Sequence, residues 1–144
     1  MPVSPLRENS LISDLPAKFI LFGEDDIDDE DLLKEIIGNI DDSFYLLFVG
    51  NGRKLMNILN ELPDNHLPCL IVLDYNMPEL NGAEILKEIK KNSRYATIPK
   101  LIWSTSGSET FRKTCIDAGA NEYIIKPTNV NDLVNLARYM LSLC

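Results

Sequence analysis

Short apolar runs with the composition of β-strands alternate along this chain with stretches whose apolar residues recur at helical spacing. This alternation is typical of βαβ units, in which parallel strands are joined by right-handed helical crossovers. We therefore predict an α/β fold with a doubly wound parallel sheet of five strands and five helices. The predicted strands cover residues 18–23, 44–49, 69–73, 98–103 and 122–125, and the predicted helices cover residues 27–40, 52–62 and 108–118, with two more beginning at Asn81 and Asn129.

The length and composition of the chain fit a single folded unit. A chain of 144 residues is about the length of one domain, and its 45% hydrophobic content is sufficient for a core. Residues 1–16 contain three prolines and little periodicity, so we expect them to form a flexible N-terminal extension. We expect residues 17–144 to form one domain, with no further domain for an effector function.

The charge balance and the short apolar runs exclude several classes of partner. The chain has 14 basic and 22 acidic residues, a formal net charge of −8, which argues against nucleic-acid binding. Its apolar runs are far shorter than the ~20 residues needed to span a bilayer, and the N-terminus lacks a signal-peptide pattern. We therefore expect a cytoplasmic protein with no membrane partner, in which Cys69, Cys115 and Cys144 are reduced thiols.

Charged and hydroxyl side chains stand at the ends of four predicted strands. Glu24 and Asp25 follow the first strand, Asp74 closes the third, Ser104 closes the fourth and Lys126 follows the fifth. The carboxyl ends of parallel strands share one edge of a sheet, so we expect these side chains to converge there. Carboxylates are ligands that Mg²⁺ prefers, an aspartate can attack a phosphoryl group, and a hydroxyl or an ammonium group can bind phosphoryl oxygens. The sequence therefore predicts a site for a divalent metal and a phosphoryl group.

Other polar residues in the same stretches have simpler interpretations. Asp26 and the acids among residues 28–31 crowd the first turn of a predicted helix, where the helix dipole favours negative charge. The mid-loop glycine that a calcium-binding EF-hand needs is missing there. The one histidine, His66, lies in a turn, without the helical or clustered context that phosphotransfer or catalysis needs.

In this order and spacing, the strand-end residues resemble the receiver domain of two-component response regulators over roughly residues 17 to 143. Asp74 lies in Leu-Asp-Tyr-Asn-Met-Pro-Glu-Leu-Asn-Gly, and Ser104, rather than Thr105, lies 22 residues before Lys126. The stretches after Asp74 and Ser104 are most similar to those of small stand-alone receivers, the chemotaxis-regulator-like and phytochrome-response-regulator-like subgroup. The resemblance implies a flavodoxin-like (βα)5 fold with the strand order 2-1-3-4-5.

The resemblance also implies how the site acts on a phosphoryl group. Asp74 would be the phospho-acceptor, while Ser104 and Lys126 would bind the oxygens of the transferred group. Ser104 would rearrange together with Tyr123 as a switch, and the bond between Lys126 and Pro127 would be cis. A receiver of this kind catalyses only its own phosphorylation and dephosphorylation, so we do not expect an enzyme acting on other substrates.

A metal site accompanies these roles in the family. The resemblance implies Mg²⁺ (or Mn²⁺) bound by Asp25, by Asp74 and by the backbone carbonyl of Asn76, with Glu24 reaching the ion through water. Asn76 and Ser106 occupy the two positions that tune the lifetime of the phosphoryl group. Neither residue is a strong activator of water, so we expect slow to moderate autodephosphorylation.

The implied function is Mg²⁺-dependent two-component signal transduction. A sensor histidine kinase or a phosphotransfer protein would donate the phosphoryl group. The output would pass through contacts with a downstream protein target on the face formed by residues 108–143. The same face is the one through which two copies would form a homodimer.

Two other functions fit parts of the pattern. A haloacid-dehalogenase-type phosphohydrolase also uses a strand-end aspartate, a hydroxyl, a lysine and Mg²⁺. That class needs a second aspartate two residues after the first, where this chain has Asn76, and its further metal-binding acids come late in the chain. A phosphorylation-independent interaction module would typically have lost Asp74, the acid pair or Lys126, and this chain retains them all.

Overall fold

The computed structural model describes residues 15–16 and 18–144, so residues 1–14 of the predicted extension lie outside the described residues. The strands are β1 (Phe19–Gly23), β2 (Tyr45–Val49), β3 (Leu70–Asp74), β4 (Lys100–Ser104) and β5 (Glu122–Ile125), and the helices are α1 (Ile27–Ile40), α2 (Gly52–Glu61), α3 (Gly82–Lys90), α4 (Glu109–Asp117) and α5 (Val130–Ser142). All four strand pairings are parallel, and the order in the sheet is β2-β1-β3-β4-β5. The predicted flavodoxin-like (βα)5 fold is therefore confirmed.

The sheet lies at the centre of the core, and β1, β3 and β4 are buried at every residue. Successive side chains of a strand point to opposite faces of the sheet. Leu21 and Ile102 accordingly pack with residues of α2, α3 and α4. Their neighbours Phe22 and Trp103 pack with residues of α1 and α5 on the other face. Burial of one such side chain contributes about 1.5–3 kcal/mol, so both faces hold the strands firmly and their ends form a rigid edge.

Each helix begins at a polar residue whose side chain accepts a hydrogen bond from the first turn. The caps are Asp26, Asn51, Asn81, Ser108 and Asn129, in chain order. Such a cap contributes about 1 kcal/mol and fixes the start of the helix close to the end of the preceding strand. The beginnings predicted at Asn81 and Asn129 are confirmed. No helix among the described residues is long and apolar enough to cross a membrane.

Two strand ends differ slightly from prediction in a way that matters for the site. Strands β3 and β4 each run one residue further than predicted and include Asp74 and Ser104, so the sheet itself holds both side chains. Strand β4 begins at Lys100, two residues later than predicted. Pro99 has no N–H to give to the ladder, although its carbonyl still accepts a hydrogen bond from the N–H of Ile71 at 3.0 Å.

The prediction of three reduced thiols is wrong for two of the cysteines. Cys69 and Cys144 form a disulfide across a separation of 75 residues, with their Cα atoms 5.2 Å apart. Helix α5 packs against the sheet and returns the C-terminal residue to the amino end of β3, a proximity that spacing along the chain does not reveal. Cys115 is a free, buried thiol, and burial raises its pKa to about 11.

The last residues of the predicted extension pack against the domain. Leu15 is buried in the cluster that also contains Phe19. His66 Nε2 donates a hydrogen bond of 2.8 Å to the carbonyl of Pro16. The histidine that had no chemical role in the sequence interpretation therefore contacts the segment that leads into β1.

Candidate functional site

The acid residues predicted to bind a metal converge at the carboxyl edge of the sheet. Glu24 and Asp25 follow β1, and Asp74 ends β3 in the neighbouring position. One carboxylate oxygen from each lies within 4.8 Å of the others. Glu24 and Asp74 are buried whereas Asp25 is exposed, so the cluster opens to solvent on one side. A cluster of hard oxygen donors of this kind fits Mg²⁺ or Mn²⁺.

The Asp74 carboxylate is held on both of its oxygens. Oδ1 accepts a hydrogen bond of 2.9 Å from the backbone N–H of Asn76, which is exposed in the loop after β3. Oδ2 accepts a hydrogen bond of 2.8 Å from Lys126 Nζ. Gly82 lies directly behind this strand end, where a Cβ atom would come within 3.1 Å of the Asp74 carbonyl and 2.8 Å of Ile102 Cδ1. The Asn76 N–H and the Lys126 ammonium therefore hold the Asp74 carboxylate in one orientation.

Lys126 is the centre of a ring of carboxylates. Its Nζ lies 2.8 Å from Asp74 Oδ2, 3.1 Å from Glu24 Oε1 and 2.8 Å from Asp29 Oδ2, and only 12% of its side chain is exposed. Burial alone lowers the pKa of Lys126. The hydrogen bonds to Asp29 and Asp74 and the charge of Glu24 outweigh burial and raise that pKa above its usual value. The lysine therefore remains a cation, as binding to phosphoryl oxygens requires.

Asp29 is the member of this ring that the sequence interpretation missed. Its negative charge was assigned to the start of helix α1. A signal was present, because Asp29 precedes Leu33 by four residues, Ile36 by seven and Ile37 by eight, and these three are the buried residues of the helix. A charged residue in line with the apolar face of a helix points inward.

Glu24 is buried with an acidic neighbour. Burial raises the pKa of its carboxyl group to about 7, and the charge of Asp74 acts in the same direction. The backbone N–H of Asp26, which donates to Glu24 Oε2 at 3.0 Å, and the ammonium of Lys126 oppose the shift. Burial and the charge of Asp74 thus both disfavour the charged form of Glu24, and a cation bound beside it would favour that form.

Ser104 and Tyr123, the predicted switch pair, are joined through Ser106. Ser104 is fully buried at the end of β4, and its Oγ accepts a hydrogen bond of 3.1 Å from the N–H of Ser106. The Tyr123 hydroxyl donates a hydrogen bond of 2.7 Å to the Ser106 carbonyl. Thr105, the alternative to Ser104, is exposed. A displacement of the loop after Ser104 would therefore change the hydrogen bond that the Tyr123 hydroxyl donates.

The segment around Lys126 differs from the expectation in one respect. All peptide bonds of the described residues are trans, so the implied cis bond between Lys126 and Pro127 is not found. The trans form of an X-Pro bond is favoured intrinsically by about 0.5–1 kcal/mol. The backbone N–H of Lys126 donates a hydrogen bond of 2.7 Å to the Ser104 carbonyl. The side-chain ammonium of Lys126 lies 4.7 Å from the centre of the Trp103 ring.

Comparisons with known proteins agree with this geometry. A family model described as the response regulator receiver domain matches residues 20–138. The two-component response regulator ORR5 of rice (Oryza sativa subsp. japonica) is 30% identical over 117 residues, which cover 80% of this chain and 85% of that protein.

Solved structures of receivers share the fold over most of their length. The Mn²⁺-bound form of response regulator Rcp1 is 30% identical with a TM-score of 0.75, covering 87% of this chain and 92% of that one. The phosphorylated cyanobacterial phytochrome response regulator RcpA is 29% identical with a TM-score of 0.78, covering 90% of this chain and 97% of that one. The chain described here therefore belongs to the family of response regulator receiver domains.

Proposed function

We propose that this receiver accepts a phosphoryl group on Asp74 from a partner histidine kinase or phosphotransfer protein, in a Mg²⁺-dependent reaction. The observation that carries the proposal is the position of the Asp74 carboxylate. One of its oxygens is 2.8 Å from the ammonium of Lys126, and it belongs to a three-carboxylate cluster with Glu24 and Asp25. The groups proposed as nucleophile, phosphate-binding cation and metal ligands thus lie close together at one edge of the sheet.

The transfer is a displacement at phosphorus. A carboxylate oxygen of Asp74 forms the new P–O bond as the P–N bond to the donor histidine breaks. The imidazole leaves with the electron pair and takes up a proton, and Asp74 becomes an acyl phosphate. The ammonium of Lys126 and the hydroxyl of Ser104 stabilise the charge on the transferred oxygens. Ser104 ends β4, which pairs with β3, and Lys126 follows β5, which pairs with β4, so the sheet holds both groups in register with Asp74.

The metal would be held by the acid cluster and the adjoining loop. Asp25, Asp74 and the backbone carbonyl of Asn76 would be direct ligands, and Glu24 would act through water. The bound ion supplies positive charge that offsets the repulsion between Asp74 and the incoming phosphoryl oxygens. The similar receiver Rcp1 has been solved in a Mn²⁺-bound form and RcpA in a phosphorylated form, which supports both parts of the proposal.

The output would pass from Ser104 to the face formed by residues 108–143. The Ser106 hydrogen bonds connect Ser104 to Tyr123, and Tyr123 lies on β5, which is part of that face. A phosphoryl group that draws the Ser104 hydroxyl toward itself would shift this connection, a local change of charge read out by packing. Contacts with a downstream protein, or with a second copy of this chain, would then depend on phosphorylation.

The side chains beside Asp74 would set the lifetime of the phosphoryl group. Asn76 is exposed two residues after Asp74, and Ser106 is half-buried beside Ser104. Neither carries a charge that would activate an attacking water. We therefore propose slow to moderate autodephosphorylation, which a time course of the phosphorylated protein in Mg²⁺ buffer measures directly.

Intact-mass analysis after incubation with acetyl phosphate tests the proposal. We expect one added phosphoryl group on the wild type with Mg²⁺, none without Mg²⁺, and none on Asp74→Asn. Asp31→Asn, which removes an exposed acid of α1, is the matched control and should be labelled like the wild type. Absence of any adduct with unspent acetyl phosphate would favour a phosphorylation-independent module. Continuous consumption of acetyl phosphate without lasting label would favour a phosphohydrolase or a very short-lived phosphoaspartate.

A further inference from the structure

We infer that Asp29 is a positioning residue, which anchors the Lys126 ammonium at the phosphoryl site while Asp74 and Glu24 are engaged elsewhere. The purpose of this role depends on the proposed phosphoryl transfer, whereas the contact between Asp29 and Lys126 is observed in the structure. Lys126 Nζ is 2.8 Å from Asp29 Oδ2, as close as it is to Asp74 Oδ2. Nothing in the sequence pattern of the acid pair, the nucleophile or the lysine assigns this role.

The three carboxylates around Lys126 are not equivalent. Glu24 and Asp74 belong to the group of acid oxygens that lie within 4.8 Å of one another, whereas Asp29 does not belong to it. A divalent cation in that group attracts Glu24 and Asp74 and repels the ammonium of Lys126. Phosphorylation likewise converts one oxygen of Asp74 into the bridging oxygen of an acyl phosphate, and the Asp74 carboxyl group loses its negative charge. Asp29 is therefore the carboxylate whose negative charge remains available to Lys126 both after metal binding and after phosphorylation.

The position of Asp29 is fixed by its own backbone. Asp26 caps α1, and its Oδ1 accepts hydrogen bonds from the N–H groups of Asp28 at 2.9 Å and Asp29 at 3.1 Å. Asp29 lies in line with the buried residues of α1, and 32% of its side chain is exposed. The capped turn therefore fixes the backbone position from which the Asp29 side chain reaches the Lys126 ammonium.

A simpler role for Asp29 is the favourable charge that an acid provides near a helix N-terminus. Asp28 separates the two interpretations, because it precedes Asp29 in the same first turn, is exposed, and makes no ion pair among the described residues. Asp28→Asn and Asp29→Asn remove the same charge from the same turn. Only Asp29→Asn removes a partner of Lys126.

The first test uses Mg²⁺ alone and needs no phosphorylation. Trp103 is the single tryptophan, and the Lys126 ammonium lies 4.7 Å from the centre of its ring. We expect Mg²⁺ to change the emission of Trp103 more in Asp29→Asn than in the wild type. Without the Asp29 charge, the Lys126 ammonium is expected to move away from the Trp103 side chain when Mg²⁺ binds. Asp28→Asn should titrate like the wild type. In a Lys126→Ala background, Asp29→Asn should no longer increase the emission change caused by Mg²⁺, so the double variant should respond like Lys126→Ala alone.

The second test measures phosphorylation by acetyl phosphate at saturating Mg²⁺. We expect Asp29→Asn to lower the rate constant about tenfold, less than the ~10²-fold that a 1 Å misplacement can cost, because Lys126 loses one of its three carboxylate partners and keeps two. Asp28→Asn should stay within about twofold of wild type, the scatter expected of a surface substitution. Asp29→Glu should recover most of the loss.

The two tests fail in distinguishable ways. Equal Mg²⁺ responses in Asp28→Asn and Asp29→Asn would overturn the inference, whatever the phosphorylation assay shows. A wild type that takes up no phosphoryl group, with the Trp103 difference intact, would overturn the proposed function and leave the anchoring contact in place. Thermal unfolding of each variant shows whether it is folded, and Asp29→Ser against Asp28→Ser carries the same comparison if Asp29→Asn is not.

Discussion

Two lysines with little exposed surface, the half-buried Lys126 and the buried Lys100, lie at opposite edges of the sheet and have different partners. Lys126, at the carboxyl edge, contacts three carboxylates, which raise its pKa against the effect of burial. Lys100, the first residue of β4 at the amino edge, donates to the carbonyl of Tyr95 at 2.8 Å. Among the described residues it has no carboxylate partner, and burial lowers its pKa. At the carboxyl edge the lysine thus forms ion pairs, whereas at the amino edge it makes a hydrogen bond to the backbone.

Removing each lysine in turn tests this contrast most strongly. We expect Lys126→Met to lower the rate of phosphorylation by acetyl phosphate about 10²–10³-fold, equivalent to about 2.7–4 kcal/mol, because a charged stabiliser of the phosphoryl oxygens is lost. Lys100→Met, the matched substitution at the opposite edge, should leave this rate unchanged. A comparable loss of rate in Lys100→Met would show that the contrast between the two edges is false.

The disulfide at the amino edge should matter for stability and not for chemistry. We expect reduction of the Cys69–Cys144 bond to lower the free energy of unfolding by about 2–4 kcal/mol, because the unfolded chain regains conformational freedom. Denaturant unfolding with and without a reductant measures the change, and Cys144→Ser should be insensitive to the reductant. Phosphorylation of the reduced protein should proceed at the wild-type rate. A slower reaction would mean that the two edges are coupled.

The pH dependence of stability should carry the signature of Lys100. Its pKa is lower in the folded state than in the unfolded chain, so between those two values the unfolded state binds more protons and stability rises with pH. We expect the stability of the wild type relative to Lys100→Met to increase as the pH is raised toward 10.5, the ordinary lysine value. Urea unfolding at several alkaline pH values measures this difference, and a constant difference would contradict the lowered pKa.

A smaller effect is expected at Glu79, in the loop that follows Asp74. Its φ of 69° lies in the left-handed region that favours glycine. Its carboxylate also accepts a hydrogen bond from the side-chain amide of Asn51. We expect Glu79→Gly to raise the free energy of unfolding by about 0.5 kcal/mol, because relief of the backbone exceeds the loss of an exposed hydrogen bond. Glu79→Ala keeps the strain and loses the bond, so it should lower stability, and equal behaviour of the two variants would contradict the argument.

The sequence was sufficient to predict the fold and the receiver family because these depend on periodicity and on strand-end residues. Asp74, Ser104 and Lys126 could be placed on one edge because parallel strands must share it. Asp29 was missed because acidic residues are common in the first turn of a helix. The direction of its side chain depends on the face of α1 on which it lies, and not on its being an aspartate. The bond between Cys69 and Cys144 was missed because it depends on where α5 ends over the sheet.

The central claim is that Asp74 carries the phosphoryl group, and chemical mapping tests it most directly. Borohydride reduces the acyl phosphate of an aspartate to homoserine, which peptide mass spectrometry then locates. After phosphorylation by acetyl phosphate and Mg²⁺, we predict homoserine at position 74 and at no other acid, including Glu24, Asp25 and Asp29. Homoserine at another position, or a phosphorylated protein that yields none, would contradict the assignment of Asp74 as the phospho-acceptor.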